Sequence, residues 1–100
     1  MRFGLEDKII EKVISVISKY QTVQRALIFG SRARGDFKYD SDIDIAVYTN
    51  GGPVQGLSLE LDEAAGIYKT NVIIMDKLGN EKLRQNIERD GVEIYRRTDA

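Results

Sequence analysis

The residues best suited to chemistry fall in one stretch, 27–48, which reads LIFGSRARGDFKYDSDIDIAVY. Asp42 and Asp44 alternate with Ile43, Ile45 and Val47. On a strand this spacing puts both carboxylates on one face and the apolar side chains on the other. The two acids then lie roughly 7 Å apart, on a strand rising about 3.4 Å per residue. At an effective dielectric of about 20 their repulsion is about 2.5 kcal/mol, so a cation should compensate them. Arg34 is one candidate. A hard divalent ion that also takes phosphate oxygens explains more, because Mg²⁺ is typically held by one or two carboxylates together with substrate phosphates.

The preceding half of the stretch supplies the complementary chemistry. Leu27, Ile28 and Phe29 read as a short buried strand, Gly30-Ser31 permits a sharp turn, and Ser31 is suited to cap a short helix carrying Arg32 and Arg34. Exposed backbone amides and two guanidiniums form an anion cradle. Cradle and metal site would address one ligand, a nucleoside triphosphate. Asp36, Lys38, Tyr39 and Asp40 read as loop residues, with Lys38 within possible reach of a phosphate.

As a joint pattern, Gly30-Ser31 followed after ten residues by Asp42-Ile43-Asp44 resembles the G-S-x(10)-D-x-D signature of the DNA polymerase beta-like nucleotidyltransferase superfamily. The wording GSRARG…SDIDI and the short chain are similar to its minimal nucleotidyltransferase (MNT) branch, whose members commonly pair with HEPN-domain proteins as antitoxins. The resemblance implies the polymerase beta-like fold and Mg²⁺ or Mn²⁺ on Asp42 and Asp44. It implies a nucleoside triphosphate, ATP by expectation, at Gly30, Ser31, Arg32 and Arg34. The activity implied is adenylyl transfer to a hydroxyl, with a tyrosine of a HEPN partner as acceptor.

Active members of that superfamily usually add a third carboxylate near the start of the strand that here reads TNVIIMD, and the residue matched by position is Asn71. Asp76 lies five positions later, at the far end of the strand and on its opposite side. An amide can touch a metal weakly but cannot act as a base near neutral pH. Losing a general base typically costs about 10² to 10⁴ in rate. The expectation is therefore Mg-nucleotide binding with slow or absent transfer. The alternative is an inactive antitoxin that works by occupying its partner.

The elements that must position these groups are legible around the stretch. Leu5, Ile9, Ile10, Val13, Ile14, Ile17 and Tyr20 recur at helical spacing, and Val23 begins a strand running to Phe29. Residues 49–53 form a loop with the chain's single proline. Leu57, Leu59, Leu61, Ala64, Ala65, Ile67 and Tyr68 favour a helix, weakened by Gly56 and Gly66. Residues 71–75 suit a strand buried on both faces, and Leu83 and Ile87 mark a last helix stopped near Gly91. Val92, Ile94 and Tyr95 close the fold, and residues 96–100 read as a fraying tail. The order implies a mixed α/β (α+β) domain over 1–100, a small sheet with helices packed on it.

Composition narrows the chemistry further. With 42% hydrophobic and 31% charged residues the chain reads as an ordinary globular domain, with no run apolar enough to span a membrane. Cysteine and histidine are both absent, which excludes disulfides, thiolate sites, zinc hydrolysis and the serine-histidine triad. A net charge of -1 argues against general nucleic-acid binding. Glu6 and Asp7 interrupt the first residues, so no signal peptide is read and a cytoplasmic location is expected.

Overall fold

Amphipathic spacing in the first twenty residues becomes helix α1 (Asp7–Lys19), whose buried stripe is Ile10, Val13 and Ile17. Asp7 in its first turn and Lys19 in its last both complement the helix dipole. The computed structural model describes residues 1–98; of the tail expected to fray, Asp99 and Ala100 lie outside the described residues. Leu5 is buried ahead of α1, in a short bridge with Arg2.

Four strands form one mixed sheet in the order β3-β2-β1-β4. β1 (Val23–Phe29) is central and runs antiparallel to both β2 (Ile43–Thr49) and β4 (Val92–Arg96). β2 runs parallel to β3 (Thr70–Ile74), which requires a crossover, here through α3 (Leu57–Ala64). Between β1 and β2 lies the four-residue helix α2 (Ser31–Arg34), and α4 (Glu81–Asp90) precedes β4.

Alternation along the two central strands divides the core. Ile28 of β1 and Ile43, Ile45 and Val47 of β2 join Ile10, Val13 and Ile17 of α1 and Leu57 and Leu61 of α3 in the larger cluster. Leu27 and Ala46 point the other way and meet Met75 and Ile87, with Leu83 packed alongside. Alternation from Ala46 places Asp44 on this second face, beyond the patch that α4 covers. The hydrophobic partition thus leaves the acid pair at an open end of the sheet.

Three sequence expectations are corrected. The strand read as buried on both faces is the edge strand β3; Asn71 is exposed, the rest of the strand is half-buried, and Met75 opens a 3-10 turn (Met75–Lys77). The helix expected through Tyr68 ends at Ala64, with turns following through Gly66 and Ile67. Arg97 is no fraying residue, because its guanidinium donates to the carbonyls of Val23 (2.9 Å) and Tyr20 (3.0 Å) and pins the sheet to the end of α1. Asp76, expected at the far end of its own strand, lies in the 3-10 turn that follows β3 and accepts from the Thr49 amide at 3.0 Å and from its hydroxyl.

Glu60 ties α3 to α1 by accepting from Lys19 (2.7 Å) and from the Tyr20 hydroxyl. The Lys19 bond, then the Tyr20 bond, hold its carboxyl below the ordinary glutamate range against a smaller opposing effect of burial. A lowered folded pKa stabilises the fold above the unfolded value, and that contribution is lost as pH falls through the folded one. Chemical denaturation of wild type and Glu60→Gln should therefore show a stability difference at pH 7 that closes below about pH 4.

Candidate functional site

The β2–β3 register places Asn71 directly beside Asp44. The Asn71 amide nitrogen donates to Asp42 Oδ2 at 3.1 Å and to Asp44 Oδ1 at 3.0 Å. One NH₂ group thus bridges the two carboxylates whose mutual repulsion the sequence had left uncompensated. The position matched by resemblance to a third carboxylate, Asn71, lies beside both aspartates. It is occupied by a donor, which attracts the pair where an aspartate would repel it.

Gly30 closes the site from the β1 side. Phe29 pairs with Asp44 across the ladder, so Gly30 follows immediately beside the acid pair. Its φ of 74° and ψ of -154° suit glycine, and a β-carbon there would overlap Asp44 Oδ2. The missing side chain is therefore a requirement of Asp44's position. Gly30 also caps α2, whereas Ser31, expected as the cap, is the first helical residue and is half-buried at the turn. The Ala33 and Arg34 amides donate to the Gly30 carbonyl (both 3.1 Å), so the first amides of α2 without an intrahelical acceptor are those of Ser31 and Arg32, next to the glycine that adjoins Asp44.

The two arginines divide in role. Arg34 is exposed, pairs with Asp36 at 3.4 Å, and stays on the surface near the site. It also acts on Asp90, which Arg89 chiefly holds below the ordinary carboxylate range against burial, with Arg34 adding a smaller effect. Arg32, expected to bind nucleotide, is only 2% exposed. Its guanidinium donates to the carbonyls of Phe3 (2.9 Å), Ser41 (2.7 and 3.1 Å) and Tyr39 (3.3 Å). The rings of Phe37 and Tyr68 lie 5.2 and 4.9 Å from it. A cation spent on three carbonyls and two ring faces cannot also meet a phosphate, so Arg32 is a strut for the loop that delivers Asp42.

The signals for this strut were absent from local sequence. Phe3, Phe37 and Tyr68 are far apart in the chain, and only the fold brings them around one guanidinium. Removing a buried charged donor leaves its acceptors unpaired and a cavity behind. Arg32→Ala should cost about 3 kcal/mol or more, a melting-temperature drop of at least about 12 °C by thermal denaturation.

As a set of donors, Asp42 and Asp44 offer hard oxygens that converge closely enough for one amide to bond both. Among the described residues no three acidic or imidazole groups cluster to make a closed metal site. Two carboxylates with open positions match the needs of Mg²⁺ sharing phosphate oxygens, and fit neither a structural zinc nor a calcium cage.

Comparison with known proteins bears on the family and the fold. Residues 11–100 match the family model described as "Polymerase beta, Nucleotidyltransferase". A Methanocaldococcus jannaschii protein, provisionally named a protein adenylyltransferase, is 29% identical over 92 residues, covering 88% of this chain and 92% of that one. A chain in the crystal structure of a toxin-antitoxin with AMP-PNP superposes with a TM-score of 0.76 at 22% identity, over 88% of this chain and 73% of the other. A chain from the tri-AMPylated Shewanella oneidensis HEPN toxin in complex with MNT antitoxin gives 0.69 at 19%, over 89% and 71%. With the family model spanning most of its length, the chain belongs to the polymerase beta nucleotidyltransferase family.

Proposed function

We propose that this protein is a Mg²⁺-dependent adenylyltransferase that moves AMP from ATP to a hydroxyl on a partner protein, releasing pyrophosphate. The observation that carries the reading is the meeting of Gly30 with Asp44 on one side and of Asn71 with both aspartates on the other. A polyphosphate lying across β1 and β2 would find the amides after Gly30 at one end and the acid pair at the other. Asp42 and Asp44 would hold Mg²⁺ or Mn²⁺, which when bound neutralises phosphate charge and polarises the α-phosphorus. Ser31 and the neighbouring amides would take the outer phosphates, and Arg34, by exchanging Asp36 for phosphate, would offset charge developing on the leaving group.

The provisional name of the archaeal relative supports a protein as acceptor, and the two toxin-antitoxin neighbours support a toxin, specifically a HEPN-domain protein, as the partner. Asn71 favours a second reading in one respect. With an amide where a third carboxylate is expected, the protein would bind Mg-ATP better than it turns it over, and would protect against a toxin by occupying it.

Two experiments separate the readings. Incubation with ATP labelled on the α-phosphate and the native partner should transfer label in wild type and none in the variant combining Asp42→Asn with Asp44→Asn. If that variant still neutralises the partner in cells, occupancy is the mechanism and transfer is dispensable. Asn71→Asp replaces a bridging donor by a third negative charge. Its metal-free melting temperature should fall by about 4–8 °C, for about 1 kcal/mol, and recover with Mg²⁺, while transfer rises at least tenfold.

A further inference from the structure

Asn71 meets the acid pair through the same oxygens that a divalent ion would need. Its amide nitrogen lies 3.1 Å from Asp42 Oδ2 and 3.0 Å from Asp44 Oδ1. The other oxygen of Asp44, Oδ2, stands where a β-carbon of residue 30 would go, so backbone walls it in. Among the described residues no salt bridge reaches either aspartate. The two bonds from Asn71 are therefore the compensation that side chains give this pair.

An amide NH₂ directs partial positive charge at the oxygens it bonds. A cation on those oxygens would face hydrogens of its own sign, so amide and cation exclude one another. Hydrogen bonds to ionised groups are the stronger kind, and a free ion would gain the carboxylates only by forfeiting two of them. A triphosphate changes that balance. Its oxygens give the displaced NH₂ new acceptors, and its outer phosphates add their own contacts at the Ser31 and Arg32 amides, which lack an intrahelical acceptor. Asn71 is exposed on the edge strand β3, so its side chain can turn without disturbing the core.

Resting on the metal-nucleotide reading above, we propose that Asn71 makes ion and nucleotide bind cooperatively. It holds the acid pair against a free divalent ion and yields to one that arrives on a triphosphate, to which its NH₂ then donates. By linkage, the factor by which nucleotide tightens the ion equals the factor by which the ion tightens nucleotide. Asn71 acts here as a competitor of the ion, which is the opposite of a third ligand. The two roles predict opposite signs when its amide is removed.

The test follows Mn²⁺ uptake by the full chain through the paramagnetic resonance of the free ion, with and without a non-hydrolysable ATP analogue. No transfer step enters the readout. Asn71→Ala removes both bonds, and Asn71→Leu removes them while keeping the bulk; circular dichroism checks that each is folded. Both variants should bind Mn²⁺ alone at least about tenfold more tightly than wild type. With the analogue present their Mn²⁺ affinity should stay within about threefold of wild type or fall below it, so the coupling factor drops. The variant combining Asp42→Asn with Asp44→Asn should lose Mn²⁺ uptake in both conditions. No gain in Asn71→Ala makes the amide a ligand or a bystander and overturns the proposal, leaving the metal-nucleotide reading intact. A gain in Asn71→Ala that Asn71→Leu lacks traces the effect to opened space and overturns it too. Wild type that takes up Mn²⁺ neither alone nor with the analogue overturns the metal-nucleotide reading, and this inference with it.

Discussion

Two negative charges on one strand face have to be held together, and the rest of this site follows from how that is done. Asp42 and Asp44 are set by the period of β2, while Asn71 is set beside them by the parallel register with β3. A single amide group then bonds both carboxylates. The donor takes the place that a cation would take, so the pair is preorganised before any ion arrives. The opposite wall is backbone: Gly30 lacks the atom that would displace Asp44. A site made from one missing side chain and one bridging amide has little freedom to drift.

The packing that surrounds it serves the same end. Apolar alternation puts Ile43 and Ile45 into the larger core, which fixes the orientation of the intervening Asp44. The connection from α2 to β2 would otherwise be a polar loop of eight residues, 35–42. Arg32 holds it from inside, drawing the Tyr39 and Ser41 carbonyls and that of Phe3 onto one guanidinium. A buried cation that meets no carboxylate among the described residues is tolerable here because its donors find carbonyls and its faces find aromatic rings. Stability and the position of Asp42 therefore depend on the same residue.

Most of the fold and half of the site were legible because they rest on short-range regularities. Strand period, helical stripes and the joint spacing of Gly30-Ser31 and Asp42-Ile43-Asp44 are local, and the elements lie close to where those patterns put them. What could not be read depends on contacts distant in sequence. Arg32 and Arg34 stand two apart in one basic turn, yet one is buried among Phe3, Phe37 and Tyr68 and the other is exposed. Local sequence carries no sign of that difference. Likewise the apolar run of β3 implied burial on both faces, whereas an edge position leaves it half-covered. The bond of Asp62 to Thr70 likewise depends on the chain reversal after α3, which no local pattern marks.

The central claim is that Gly30, the two aspartates and Asn71 act as one grip for a magnesium-bearing polyphosphate. Calorimetric titration with a non-hydrolysable ATP analogue, with and without Mg²⁺, in wild type and Gly30→Ala, tests it most directly. The account predicts one site whose occupancy requires Mg²⁺ and is weakened at least tenfold in Gly30→Ala, with the variant shown by circular dichroism to be folded at the titration temperature. Binding that ignores Mg²⁺, or that is unchanged in Gly30→Ala, would contradict it.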